Sequence, residues 1–196
     1  MSDINKLVLE SLDSQPYRKR VEVIIKKGDK ILFSVISPYP PKVTKPYYGF
    51  PGGGIEAGDS AVKTCKKECL EELGVKIKNI KKLPITPFKF EWTKRKIVDT
   101  GTDYSKKLQE RTTQYRGTIT DYYTADFDKT DLSMYGADGQ TTDYVFVSVP
   151  KAVSLMDNQV RTHTDPKNIP IFEYRLKALK KLWYYFLTAK LQKIKH

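Results

Sequence analysis

The chain has 196 residues, of which 39% are hydrophobic, and its 35 lysines and arginines outnumber 23 acids for a formal net charge of +12. That length supports one substantial core, and no run approaches the roughly eighteen apolar residues of a membrane-spanning helix, so no membrane span is expected. The positive excess favours anionic partners such as nucleotides, nucleic acid or acidic membranes, and it equally suits a solubilising lysine-rich surface.

The N-terminal stretch MSDINKLVLESLDS has no basic n-region before its apolar residues and no small-residue cleavage site. It is therefore not read as a signal peptide, and a soluble cytoplasmic protein is expected. Residues 3–12 suit a short helix capped by Asp3, as an N-terminal extension. Ser14 to Arg20 is polar and leads into Val21–Ile25 and Ile31–Ile36, two runs rich in β-branched residues. Gly28-Asp29 between them is a hairpin turn signal. Pro38, Pro40, Pro41 and Pro46 then predict an extended loop.

Tyr47 to Pro51 delivers the chain to three glycines, Gly52 to Gly54, where the backbone can adopt conformations closed to other residues. Asp59 or Ser60 can cap the helix that follows. On a helical wheel of about 100° per residue, Val62, Cys65, Cys69 and Leu73 form one stripe, and Glu68, Glu71 and Glu72 form an adjacent arc. Gly74 suits the helix C-terminus, and Val75 starts a strand. Cys65 and Cys69, four apart on this helix, make a poor disulfide framework. With only His163 and His196 there is no zinc constellation, so both cysteines are read as small packed residues.

Beyond the helix, Phe88, Phe90 and Trp92 mark a strand, and residues 93–113 read as a loop or insertion with a short helix. Tyr115–Phe127 is a strand candidate with Gly117 marking a bulge, Asp128–Thr142 reads as loop, and Tyr144–Val149 reads as a strand. Residues 150–170 read as a connection with a helical turn around Ala152–Met156. Residues 171–195 have helical periodicity, and after Glu173 this segment carries Arg175, Lys177, Lys180, Lys181, Lys190, Lys193 and Lys195 without an acid. Basic residues towards a helix C-terminus complement its dipole.

Three carboxylates beside a glycine-rich turn suit a divalent ion and, through it, a phosphate. Phosphoric anhydrides resist water because their oxygens repel a nucleophile and the leaving group is anionic, and a divalent metal offsets both. Magnesium takes oxygen ligands and keeps several waters. Glu68 and Glu72, at i and i+4, project side by side. Glu71 is a third ligand or a base.

Gly53, five residues, Asp59, seven residues, then Lys67-Glu68-Cys69-Leu70-Glu71-Glu72-Leu73-Gly74-Val75 closely resembles the Nudix box. Asp59 stands where the pattern has glutamate, and Lys67 stands where it has arginine, losing the planar two-point grip on a carboxylate. The resemblance implies an α/β fold, a Nudix-like α/β/α sandwich around a mixed sheet, here with an extra C-terminal basic helix. It implies a single Nudix hydrolase domain over residues 1–196, with 1–16 as an extension.

The resemblance further implies a magnesium-dependent pyrophosphohydrolase, with manganese as a substitute, cleaving a nucleotide or nucleotide derivative. Glu68, Glu71 and Glu72 match the family's metal-binding, catalytic glutamates, and the Gly52 carbonyl matches a main-chain ligand. Glu91, Glu110, Asp121, Asp138 and Asp143 are candidates for a further acid from a later loop. Tyr47, Tyr48, Phe50 and Trp92 are candidates for stacking on a base, with core packing as the competing reading. The alternatives are an RNA 5′-end or cap pyrophosphohydrolase, which the basic helix favours, and a non-catalytic module binding nucleotide or RNA. That last reading usually comes with loss of a box glutamate, and all three are present. Oligomeric state is not readable from the sequence.

Overall fold

The structure is a computed structural model that describes residues 14–36, 47–91, 110, 111, 113–136, 143–163 and 169–194, the side chains of residues 36 and 186–194 excepted. The expected N-terminal helix, the proline-rich loop, Trp92, Asp138 and most of the 93–113 segment lie outside these residues.

β1 (Tyr17–Lys27) and β2 (Lys30–Ile36) form the expected hairpin, turning through Gly28 at φ 61°. There follow β3 (Tyr47–Gly49), α1 (Ala61–Leu73), β4 (Val75–Lys82), β5 (Phe88–Glu91), β6 (Gly117–Thr130), β7 (Asp143–Ser148), α2 (Val149–Thr162) and α3 (Ile169–Ile194). The strands make one mixed seven-stranded sheet with the central order β3-β2-β1-β6-β4. β1 and β6 run parallel from Tyr17–Gly117 to Lys26–Asp126, and the other pairings are antiparallel. β4 and β5 pair with successive stretches of β6, and β7 pairs with β2.

Alternation along β1 sends Val21, Val23 and Ile25 to one face and Ile24 to the other. The first face packs against Cys65, Cys69 and Leu73 of α1. The second packs under α2 and α3 through Phe33, Tyr122, Met156, Phe172 and Leu179. Helices thus cover both faces of the sheet, the α/β/α arrangement that the resemblance implies. None of the described helices is long and apolar enough to cross a membrane.

Four local expectations change. β1 begins at Tyr17 rather than Val21, because the polar residues before Val21 pair with β6. Val62 is 43% exposed and leaves the inward stripe, while Thr64 is buried. Gly117 opens β6 and marks no bulge. A Cβ there would fall 2.1 Å from the Phe90 carbonyl oxygen, so the glycine permits close approach of β5. The register shifts lie instead between β4 and β6, at Lys76/Ile77 and Lys78/Lys81.

Val149, expected to end a strand, and residues 150–162 of the expected 150–170 connection form a complete helix. Pro150 near its start is pre-set for helical φ, and Val149, Ala152, Val153 and Met156 face inward at helical spacing.

Candidate active site

β1 hands one edge from β2 to the glycine loop. Its pairing with β2 covers only Ile25 to Lys27. The Val21 N–H then donates to the Gly53 carbonyl (3.0 Å), the Val23 N–H to Pro51 (2.9 Å), and the Ile55 N–H to Lys19 (2.9 Å). Strand alternation points the carbonyls of Pro51 and Gly53 into this ladder and turns the Gly52 carbonyl out of it. The Gly52 carbonyl accepts a long contact, 3.4 Å, from Arg20 Nη2. A Cβ on Gly52 would fall 2.1 Å from the Val21 carbonyl oxygen, so only glycine lets the loop lie this close.

α1 is set by its ends. The Ser60 hydroxyl, not Asp59, caps it by accepting from the Lys63 N–H at 3.2 Å. Gly74, at φ 61°, closes it by donating to the carbonyls of Cys69 and Leu70. The Gly136 N–H donates to the Glu71 carbonyl (2.9 Å), and the Asp131 N–H donates to that of Gly74 (2.7 Å), fastening the helix end to the segment after β6.

So held, α1 presses the Glu68 carboxylate against the Cα of Gly53, where a Cβ would lie 2.1 Å from Oε1. Glu72 is one turn further along the same side and, like Glu68, half-buried. Glu71 is buried, with 8% exposure, and Lys67 Nζ stands 4.0 Å from its Oε2. The lysine in the arginine position therefore makes a distant one-point contact. Asp59 pairs instead with Lys63 at 2.6 Å.

The thiols beneath the carboxylates register the same placement. Burial pushes Cys65 up to about 12. Cys69 is raised well above the ordinary thiol range, by burial first and then by negative charge on Cys65, Glu72 and Glu68. Both cysteines are free and buried, as small packed residues should be.

The later acids stand in different surroundings. Glu91 accepts hydrogen bonds from the Tyr17 hydroxyl and from Arg116, and Asp121 pairs with Lys82 at 2.7 Å. Glu110 and Asp143 are exposed. Phe50 is a core residue rather than a stacking surface, at 5% exposure with its ring stacked on Phe33 at 5.2 Å. Tyr48 tilts against the same ring at 5.7 Å. Its main chain is gripped at both groups by Gln159, Oε1 accepting from the N–H at 2.6 Å and Nε2 donating to the carbonyl at 3.0 Å. Tyr47 packs edge-on to His163 and Phe172.

Sequence reasoning missed Arg18, Arg20 and Glu22, which share one face of β1. Arg18 packs its guanidinium against Gly54 and pairs with Glu56 at 2.5 Å. Glu22 is buried. The signal was an acid set inside the apolar run Val21 to Ile25, since a charge is seldom buried without a partner.

The family model for the NUDIX domain matches residues 16–161. The chain belongs to the Nudix family. It is accordingly a hydrolase acting on phosphoric anhydrides. A search of curated proteins finds no match to the sequence.

Among solved structures, the Nudix fold seen here is similar to that of an ADP compounds hydrolase, with TM-score 0.55 and 15% identity over 90% of this chain and 76% of that one. A Nudix hydrolase from Nitrosomonas europaea aligns with TM-score 0.43 and 17% identity, over 83% and 90% of the two chains. A MutT chain from a study of Aliivibrio salmonicida and Vibrio cholerae gives 0.43 and 14%, over 82% and 98%. At 15% identity the likeness to the ADP compounds hydrolase is one of fold.

Among the described residues no three His, Cys, Asp or Glu side chains come close enough to hold a metal ion by themselves. Beside the loop stand the Glu68 carboxylate and the Gly52 carbonyl, with Glu72 one helical turn beyond Glu68. Such oxygen donors are of the kind that would hold magnesium.

Proposed function

We propose that this Nudix protein is a magnesium-dependent pyrophosphohydrolase that cleaves the anhydride of a nucleoside diphosphate joined to a further group. The observation that carries the reading is the seating of Glu68 against Gly53, beside a Gly52 carbonyl left out of the strand ladder. Glu68, Glu72 and the Gly52 carbonyl would hold the ion, with manganese as a substitute. Glu71 stands next to them as a further ligand or as the base. When bound, the ion offsets phosphate charge and makes an attacking water easier to deprotonate.

The chain's own residues supply the positioning. The β1 ladder fixes the glycine loop, and the capped ends of α1 fix the direction from which the carboxylates arrive. The Arg20 guanidinium, already at the Gly52 carbonyl, adds positive charge beside the place where phosphate oxygens would sit.

The test is a substrate panel in magnesium or manganese, scored by released mononucleotide or phosphate. It should include nucleoside triphosphates, dinucleoside polyphosphates, nucleotide sugars, NAD-type dinucleotides and a 5′-triphosphate RNA. Turnover on at least one class is expected. Glu72→Gln should lower it by roughly a hundredfold or more, the scale set by several kcal/mol of lost charge stabilisation. Failure of the wild type on every class with both metals would replace hydrolysis by nucleotide binding alone.

A further inference from the structure

On the sheet face opposite α1, an open groove of about 640 Å³ runs between the β4–β5 connection and α3. Pro84, Ile85 and Thr86 form one wall, and Lys177, Lys180, Lys181 and Tyr184 form the other. The second wall follows i, i+3, i+4, i+7 spacing, so three ammonium groups and a phenol ring share one stripe of α3. The inward side of the same helix is fixed by Phe172, Leu176, Leu179 and Leu182, all buried. The stripe therefore faces outward by construction.

Among the described residues the charge on this wall has no carboxylate within 4.0 Å. Lys26, Lys63, Lys67, Lys76, Lys78 and Lys82 each stand within 4.0 Å of a carboxylate. Among the described residues Lys177, Lys180 and Lys181 have no carboxylate that close, and no acid lines the groove. Lys177 Nζ lies over the Tyr174 ring at 5.2 Å and Lys181 Nζ over the Tyr185 ring at 5.5 Å. Like charges three and four residues apart on a helix repel one another, and an anionic ligand would relieve that repulsion.

We propose that this groove binds single-stranded nucleic acid, its lysines tracking the phosphodiester backbone and Tyr184 offering a face to a base. A basic groove lined with an aromatic ring is the combination by which proteins hold single strands without reading their sequence. Tyr184 is 61% exposed, far more than a packed tyrosine. Seven residues of helix span about 10 Å, enough to meet more than one phosphate. The line of lysines beside an exposed ring matches the alternation of phosphates and bases along a single strand. Binding here requires no anhydride cleavage and stands apart from the hydrolytic reading.

The experiment is fluorescence anisotropy with fluorescein-labelled U12 and dT12 between 50 and 200 mM salt, beside vesicles containing phosphatidylserine. Three phosphate contacts predict a log–log slope near −2, from about −0.7 per contact on single strands. Lys177→Gln/Lys180→Gln/Lys181→Gln should bring the slope close to zero, and Lys181→Gln alone should remove about a third of it. Tyr184→Ala should weaken binding about tenfold and leave the slope unchanged. The triple variant should keep its melting temperature and its turnover of a small nucleotide within about twofold. That result separates loss of this site from loss of the hydrolytic one.

A triple variant with wild-type slope would overturn the proposal, and so would a Tyr184→Ala protein that binds like wild type. Vesicle binding that needs the lysines, with no oligonucleotide binding, would assign the groove to a lipid surface instead.

Discussion

Arg175 of α3 and Glu22 of β1 meet in a two-point ion pair, Nε to Oε2 at 2.9 Å and Nη2 to Oε1 at 2.6 Å. The side chains are 12% and 8% exposed. Burial alone would favour a neutral guanidine, but the attraction and hydrogen bonds of Glu22 outweigh it and hold Arg175 charged. One of the basic residues that make α3 look like a surface helix is thus its anchor. The anchor also reaches the site, because a Cβ on Gly52 would fall 2.9 Å from the Cα of Glu22.

Arg175→Met should destabilise the protein by about 3–5 kcal/mol, since it strands a buried carboxylate, whereas Glu22→Leu/Arg175→Met should recover most of that loss. Urea unfolding of the two single variants and the double variant measures the coupling. Simple addition of the single effects would show that the pair is not coupled.

Gly52→Ala and Gly53→Ala should fail in different ways. At Gly52 the added methyl meets main chain, the Val21 oxygen at 2.1 Å and the Glu22 Cα at 2.9 Å. Neither can move without parting the ladder, so a stability loss of about 1–3 kcal/mol is expected, as for overpacking. At Gly53 the methyl meets the end of a flexible side chain, the Glu68 carboxylate. Stability should change by less than about 1 kcal/mol, while turnover falls at least tenfold because the carboxylate is displaced. Thermal melts and initial rates on the same preparations separate the two, and equal rates for Gly53→Ala and wild type would refute the seating of Glu68.

Gln159 acts towards β3 as one more strand would, answering both main-chain groups of Tyr48. Gln159→Leu keeps the volume and leaves an N–H and a carbonyl unanswered, at a cost of about 2–3 kcal/mol. A denaturation midpoint equal to that of wild type would show that water substitutes freely for the amide.

Stability should fall with pH on the acid side. Asp131 is held well below the usual carboxylate range by hydrogen bonds from Lys76 and Ser133. Asp128, bonded to Lys78, and Asp126, bonded to Asn79, are also lowered, as is Glu91 beside Tyr17 and Arg116. A carboxyl depressed in the folded state contributes stability above its unfolded value, and that contribution disappears as pH falls through the folded value. The loss should therefore begin near pH 4, where unfolded carboxyls titrate. Asp131→Asn should flatten the melting-temperature profile between about pH 2 and 5. An unchanged profile would remove Asp131 from the account.

Local signals carried much of this molecule into view. The hairpin at Gly28, the box helix with Ser60 and Gly74 at its ends, and α3 each follow from patterns within a few residues. The three box glutamates were visible together because a helix converts spacing into a shared side. Other features depend on partners distant in sequence. Glu22 shows in the sequence as an acid in an apolar run, but its partner is 153 residues away. The 149–162 helix is harder to see, because a proline suits a helix start as well as a connection and only the packing of Ala152, Val153 and Met156 decides between them. Val62 fits the wheel of α1 yet lies in the first turn of the helix, where it is left exposed.

The hand-over of the β1 edge has a consequence for binding. The Pro51–Ile55 segment is spliced into the central sheet by the amides of Val21, Val23 and Ile55, so it is a strand in all but residue type. Glycines elsewhere lend a chain freedom that a ligand must then remove, whereas here the sheet has removed it during folding. The platform meets its substrate with little conformational entropy left to lose, which preserves affinity that a mobile loop would forfeit. Amide exchange at Val21, Val23 and Ile55 should accordingly be as slow as in the sheet core, with or without nucleotide.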